Sequence, residues 1–168
     1  MEITTDIYLR GEHWAKAIDE LGIIFSNKTN YNIYILCLSI GIMYDKRIAR
    51  FDDKDENPRF VPRNVIHNND NGKLDTMYQS VLLSTKTESF TEDQRLEMAF
   101  GDNVDTMLGM KKIDFLTEFA NYGVTKLVEL IGHDYLESME NISQFLLSSV
   151  EGTNFDVDSI SDEELIDE

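Results

Sequence analysis

The stretch that most constrains the fold runs through residues 112–132, where apolar side chains recur at steps of three and four. That period places them on one side of an α-helix. The apolar side consists of Leu116, Phe119, Ala120, Gly123, Leu127, Leu130 and Ile131. Gly123 lies in mid-helix, where glycine costs about 1 kcal/mol relative to alanine. A glycine at this position indicates that another backbone passes close by, and Gly132 predicts the C-cap.

A second apolar segment, residues 31–44, is the most economical partner for this helix. It is apolar almost all round, and Ile33 and Tyr34 would suit a buried strand. Its length favours a buried helix instead, because strands are usually shorter than this. Gly41 offers a second point of close approach, so we hypothesise that the two helices pair. Cys37, within the segment, is expected to be a buried structural thiol.

The same period occurs in residues 12–25, 73–83 and 135–150, and in a helix capped by Ser89 or Thr91. In the last helix the core-facing stripe is predicted to be Leu136, Met139, Ile142, Leu146 and Val150. Residues 1–11 fit either a short strand or the start of a helix. The sequence therefore predicts a mainly α fold, a single compact helical domain of about five or six helices over residues 1–150, with a short N-terminal strand as an option.

Residues 45–71 contain both prolines and many charges, which predicts an exposed loop with a short extended piece at residues 60–66. Phe51 and Phe60 are interleaved with basic side chains, a pattern typical of nucleic-acid contacts. The candidate contacts are Lys46, Arg47, Arg50, Arg59 and Arg63. Four acids, Asp52, Asp53, Asp55 and Glu56, nearly cancel that charge. We therefore expect nucleic acid to be reached only indirectly, within a larger assembly.

The net charge of −17 is concentrated at the C-terminal end, since no lysine or arginine follows Lys126. Autonomous binding to nucleic acid is disfavoured, because phosphate contacts need clustered bases. Residues 151–168 hold eight acids and no base, which predicts an acidic tail that is flexible or ordered by a partner. Apolar residues within it suggest partner docking, and they are Phe155, Val157, Ile160, Leu165 and Ile166.

Chemistry-bearing motifs are absent from the sequence, so we predict no catalytic, cofactor or metal site. The three histidines lack paired-ligand spacing, and no glycine-rich phosphate loop occurs. The acids of residues 52–56 would need neighbouring strands to form a nuclease metal site. A calcium-loop start at residues 154–158 fails because Ser159 replaces the required glycine and Leu165 the glutamate. A non-enzymatic protein is expected.

Location is predicted from two features. The N-terminus is acidic and has no apolar signal region. The longest apolar run is shorter than the roughly 20 residues of a membrane span. We therefore expect a cytoplasmic protein without membrane partners.

Two patches together resemble a known family. Residues 34–47 form an apolar segment that ends in glycine and a basic turn. The later patch has Phe115, an aromatic–alanine pair at Phe119 and Ala120, then Gly123 and a following leucine. This combination resembles the proteins known as DNA phosphorothioation (Dnd) system-associated protein 4, although Phe119 stands where tyrosine is common.

The resemblance implies a bacterial accessory subunit of an anti-phage DNA-defence complex. Such a subunit would be non-enzymatic and would dock a larger ATPase or nuclease partner. No catalytic residue is carried over by the resemblance. The alternative reading, drawn from the charge, is an acidic, DNA-mimic-like inhibitor of a nucleic-acid-binding protein.

Overall fold

The computed structural model describes residues 3–22, 24, 30–51, 58–101 and 109–151, without the side chains of residues 150 and 151. The described chain contains seven helices and one two-stranded sheet, which confirms the mainly α prediction. In chain order the elements are β1 (Ile7–Leu9), α1 (Glu12–Leu21), α2 (Asn30–Tyr44), β2 (Arg59–Val61), α3 (Arg63–Asn69), α4 (Lys73–Ser84), α5 (Glu92–Phe100), α6 (Lys112–Glu129) and α7 (Tyr135–Glu151).

Helices α2 and α6 cross at the centre of the fold with their backbones in contact. Gly41 of α2 lies against the backbone of Phe119, and Gly123 of α6 lies against the backbone of Cys37. A Cβ atom at either glycine would overlap the facing carbonyl oxygen. The two contacts run in opposite order along the chain, so the helices are antiparallel. The hypothesised pairing is confirmed, and it accounts for the glycine in mid-helix.

Aromatic side chains surround this crossing. Trp14 of α1 stacks near Tyr34 of α2, with 6.3 Å between ring centroids. Phe115 of α6 meets Tyr78 of α4 and Phe119 edge-to-face, at 6.1 and 5.4 Å. All five rings are buried. Such contacts add to the stabilisation that burial itself gives, so α1, α2, α4 and α6 share one core.

The region predicted as an exposed loop contains a strand and a helix. Strand β2 pairs antiparallel with β1, placing Ile7 opposite Val61; the option of an N-terminal strand is thereby confirmed. Helix α3 follows Pro62 directly, and the Asp6 carboxylate accepts a bond of 2.8 Å from the N–H of Arg63 at its start. The buried Ile66 anchors the helix. The loop interpretation is therefore wrong for residues 59–69, and the extended piece predicted at residues 60–66 is confirmed only at residues 60–61.

Helix α5 begins with a reciprocal capping box. The Thr91 hydroxyl accepts the N–H of Gln94 at 3.3 Å, and the Gln94 side chain accepts the N–H of Thr91 at 2.9 Å. Two otherwise unpaired donors are satisfied in this way. Of the two caps that the sequence offered, the structure uses Thr91.

The turn between α6 and α7 is fixed by α7 rather than by a glycine cap. Helix α6 ends at Glu129, and Leu130 caps it in the right-handed conformation, so the prediction of a Gly132 cap is wrong. The N–H of Gly132 instead donates to the Ser138 hydroxyl at 3.0 Å. Asp134 caps α7, since its Oδ1 accepts two backbone N–H groups at 2.9 Å each.

Candidate functional site

Arg47, the least exposed of the five basic candidates, is partly buried and forms ion pairs within the chain. Its Nη1 lies 3.1 Å from a carboxylate oxygen of Glu118 on α6, and its Nη2 pairs with the carboxylate of Glu88. Its guanidinium also lies 4.8 Å from the ring centroid of Phe115. With its charge matched twice inside the chain, Arg47 is placed to hold the segment after α2 against α6.

Three other basic candidates also have partners within the chain. Arg59 bonds Asp19 at 2.7 Å, and Arg63 donates to the Thr4 carbonyl at 3.3 Å. The Lys46 ammonium lies 5.6 Å from the Tyr122 ring centroid. Arg59 and Arg63 line different cavities. The structure therefore does not gather the predicted nucleic-acid contacts into one patch.

Arg50, the remaining candidate, is exposed and lines an open cavity of about 360 Å³ beside β1 and α6. Arg10, which the sequence interpretation did not select, lines the same cavity. The other lining residues are Tyr8, Ala49, Phe51, Thr117 and Asn121. Arg10 and Arg50 are 40 positions apart in the sequence, which explains why only the fold reveals that these two arginines line one cavity.

A buried polar side chain joins three parts of the chain behind this cavity. Asn121 of α6 accepts the Trp14 indole N–H at 2.9 Å and donates to the Ile48 carbonyl at 3.0 Å. Unpaired, each of these buried groups would be costly. From its helical position Asn121 belongs to the polar side of α6, and its burial follows only from the path of residues 45–51 across that side.

A second polar pair, between a buried tyrosine and a partly buried threonine, links α2 to α6. The Tyr34 hydroxyl lies 3.1 Å from the Thr117 hydroxyl, which itself donates to the Ile113 carbonyl at 2.7 Å. Burial raises the pKa of Tyr34 above its usual range. Burial likewise raises the pKa of the Cys37 thiol. The thiol is therefore held protonated and inaccessible, which agrees with a structural role.

The remaining predicted sites fall outside the described residues. They are the acids of residues 52–56 and the tail residues Phe155, Val157, Ile160, Leu165 and Ile166. Within the described ranges, no three His, Cys, Asp or Glu side chains are grouped as a metal ion would require. None of the helices in those ranges is both long and apolar enough to cross a membrane.

Helix α7 presents an apolar side to solvent. It packs on the core through a narrow strip centred on Ile142, which is only 7% exposed, with Ser138 and Phe145 beside it. Its exposed apolar residues are Tyr135, Leu136, Met139, Leu146 and Leu147. We call these five the α7 face. The predicted stripe is therefore confirmed for Ile142 and wrong for Leu136, Met139 and Leu146, which are 53%, 48% and 42% exposed. The side chain of Val150 lies outside the described part of the chain.

Among the described residues, the α7 face is the largest group of exposed hydrophobic side chains on a single helix. Of the twelve large hydrophobic side chains that are exposed, five belong to this one helix. Single exposed apolar residues are ordinary, whereas several on one side of one helix indicate an interaction site. Acidic side chains border it, namely Asp134, Glu137 and Glu140, and no lysine or arginine follows Lys126. This arrangement suits an apolar partner surface with basic edges.

No protein-family model matches the chain, and neither a curated protein nor a solved structure matches it. The family resemblance thus stays a prediction from two patches of sequence. Those patches correspond to α2 and α6, the helices of the glycine crossing.

Proposed function

We propose that this protein is a non-enzymatic interaction subunit that docks a larger protein through the α7 face. The observation that carries the proposal is the set of five exposed apolar side chains on one helix whose opposite strip is already packed. Burying that face on a partner would stabilise a complex by about 25 cal/mol per Å² of apolar surface removed from water.

The partner's chemistry follows from the charges around the face. An apolar ridge edged by lysine or arginine would meet Glu137, Glu140 and Asp134 without leaving unmatched charge. A helix with basic flanks is the simplest such element, because it can lie along α7 and bury a row of side chains. An acidic partner would be repelled, so the charge selects among partners as well as attracting one.

The resemblance suggests which larger protein to examine. It implies an ATPase or nuclease of a bacterial anti-phage system, in which this chain would be the cytoplasmic accessory subunit. The resembling segments form the scaffold of the fold rather than its exposed surface. The defence role therefore rests on the resemblance, and the docking face rests on exposure and charge.

The experiment is reconstitution of the full chain with the purified ATPase or nuclease encoded beside it. We expect a stoichiometric complex that survives high salt, because its contact is mainly apolar. Replacing Leu136 and Leu147 with serine should weaken binding about tenfold or more, as expected when central apolar contacts are lost. Leu96→Ser, at a similarly exposed leucine of α5 (47%), is the matched control and should leave binding unchanged.

Other outcomes separate the competing explanations. If the α7 variants bind as tightly as the native chain while deletion of residues 152–168 abolishes binding, the tail is the docking element and the α7 proposal fails. If the chain forms a stable dimer that the α7 variants dissociate, the occupant is a second copy instead. A complex with a DNA-binding protein whose affinity falls steeply as the salt concentration rises would favour the DNA-mimic alternative.

A further inference from the structure

The cavity beside β1 and α6 combines positive charge with aromatic walls in an otherwise acidic protein. We propose that it binds a nucleotide unit, a phosphate group joined through a sugar to an aromatic base. None of its described lining residues belongs to α7, so this inference goes beyond the docking function and is tested separately from it. Its residues come from β1, α6 and the segment after α2.

The charge argument begins with the arginines of the chain. Four of the six have partners among the described residues: Arg47 and Arg59 pair with carboxylates, and Arg63 and Arg95 donate to carbonyls. Arg10 and Arg50 are exposed and have no carboxylate partner in that part of the chain. These two arginines line one cavity, and none of its described lining residues is acidic. Two arginines that line one cavity without a carboxylate partner among the described residues favour an anion.

Phosphate is the anion that two arginines recognise best. Each guanidinium offers a planar fork of N–H donors that matches two oxygens of a phosphate. A carboxylate ligand would occupy one such fork and leave the second charge unmatched. Arg10 is already oriented, since its guanidinium lies 5.6 Å from the Tyr8 ring centroid.

The aromatic walls extend the argument from phosphate to nucleotide. Tyr8, which is 54% exposed, and Phe51 both line the cavity. The Phe51 ring is held by stacking on the His13 imidazole, at 5.1 Å between centroids and 19° between planes. Stacking on such side chains binds nucleobases with little regard to their sequence. Thr117 and Asn121 are polar residues that also line the cavity.

Size and charge favour a short ligand. The volume of about 360 Å³ lies at the small end of ligand cavities, which span about 300 to 1,000 Å³. A long nucleic-acid strand would bring many phosphates near a chain of net charge −17. Without clustered bases along its path, that strand would be repelled. A mononucleotide needs only the two guanidiniums, and a single nucleotide of a strand offers the same chemistry.

The experiment titrates the full chain with AMP, adenosine, inorganic phosphate and a short oligothymidylate by calorimetry. We expect AMP to bind more tightly than adenosine and phosphate, since only AMP engages both halves of the cavity. Arg10→Gln and Arg50→Gln should each lower AMP affinity about tenfold or more, as the loss of a charged hydrogen bond does. Both positions are exposed, so folding should be unaffected, and circular dichroism will verify it.

Arg63→Gln is the matched control, because Arg63 is also exposed but lines a different cavity. Its affinity for AMP should equal that of the native chain. An equal loss in this control would reveal general charge attraction and overturn the proposal, as would the absence of saturable AMP binding. Phosphate binding as tightly as AMP would also overturn it. Tighter binding of the oligonucleotide, still lost in Arg50→Gln, would support the site and identify a strand as the source.

Discussion

Apolar side chains are buried at the glycine crossing of α2 and α6, whereas five large ones remain exposed on the outer helix α7. At the crossing the backbones touch, with Gly41 and Gly123 lying against opposing carbonyl groups. On α7 a narrow strip packs and five large apolar side chains remain in solvent. Close packing leaves no room for change, whereas an open helix face can accept a partner without rearrangement.

From this difference we expect the crossing to contribute mainly to the stability of the fold and the α7 face mainly to binding. Substitutions at the crossing should change folding and leave the identity of partners unaltered. Substitutions on the α7 face should change partner binding and leave the free energy of unfolding nearly unaltered. Those side chains are already exposed in the folded state, so unfolding adds little to their contact with water. Each region can therefore be altered with the other as its reference.

The largest effect is expected at the crossing glycines. Gly123→Ala and Gly41→Ala should each lower the free energy of unfolding by about 3 kcal/mol, because overpacking outweighs the roughly 1 kcal/mol gained in helix propensity. Urea denaturation followed by circular dichroism measures this. Ser143→Ala, on the exposed side of α7, should stay close to the native stability. Native stability in both glycine variants would contradict the backbone contact.

The next effect compares two asparagines on the two helices. Asn121→Ala should cost about 2 to 3 kcal/mol, since it leaves the Trp14 N–H and the Ile48 carbonyl buried without partners. Asn141→Ala of α7 removes a 3.2 Å bond to the Leu130 carbonyl in a half-exposed place, and about 0.5 to 1 kcal/mol is expected. Denaturation curves measure both variants. Equal losses of unfolding free energy in Asn121→Ala and Asn141→Ala would contradict the proposed difference between α6 and α7.

The dependence of stability on pH tests the burial of side chains near the crossing. Burial raises the pKa of Cys37 and Tyr34 in the folded state, so their stabilisation is fully present below the unfolded pKa values, about 8.5 and 10. It is lost as pH rises further, because the unfolded chain releases those protons first. The free energy of unfolding should thus fall above about pH 8.5. Cys37→Ala should delay the onset of that fall, while Leu136→Ser should not.

The smallest effect on stability is expected on the α7 face. Leu147, the most exposed of its leucines at 63%, should tolerate serine within about 0.5 kcal/mol. Ile142→Ala, on the packed strip of the same helix, should cost about 2 kcal/mol. Thermal unfolding of the two variants measures the loss of stability in each. Comparable losses would mean that the α7 face contributes to the core and is not available to a partner.

The centre of the fold could be predicted from the sequence because glycine carries specific information. A glycine in the middle of an apolar helix loses stability unless something needs its missing side chain. Gly123 and Gly41 each lie within an apolar helical segment, and close packing of the two helices was the simplest explanation for both. The acid-bearing first turn of α5 and its Thr91 cap were likewise local signals, read within one turn of helix.

Other features depended on which surface the rest of the chain covers. The α7 stripe had the right period, but its packed strip passes through Ser138 and Ile142, so the phase could not be read from apolarity alone. Asn121 is polar and yet buried, because the segment ending in Phe51 crosses over it. The cavity arginines, Arg10 and Arg50, are brought together only when β1 docks beside α6.

The separation of the two crossing helices has a consequence for synthesis. Tyr34 and its partner Thr117 are 83 residues apart, and ribosomes add about 5 to 20 residues per second. Helix α2, which is apolar almost all round, is therefore synthesised on the order of 10 s before the α6 helix that covers it. During that interval a nascent chain exposes the surface that chaperones recognise. Expression of this protein should consequently be more sensitive to chaperone supply than its small size suggests.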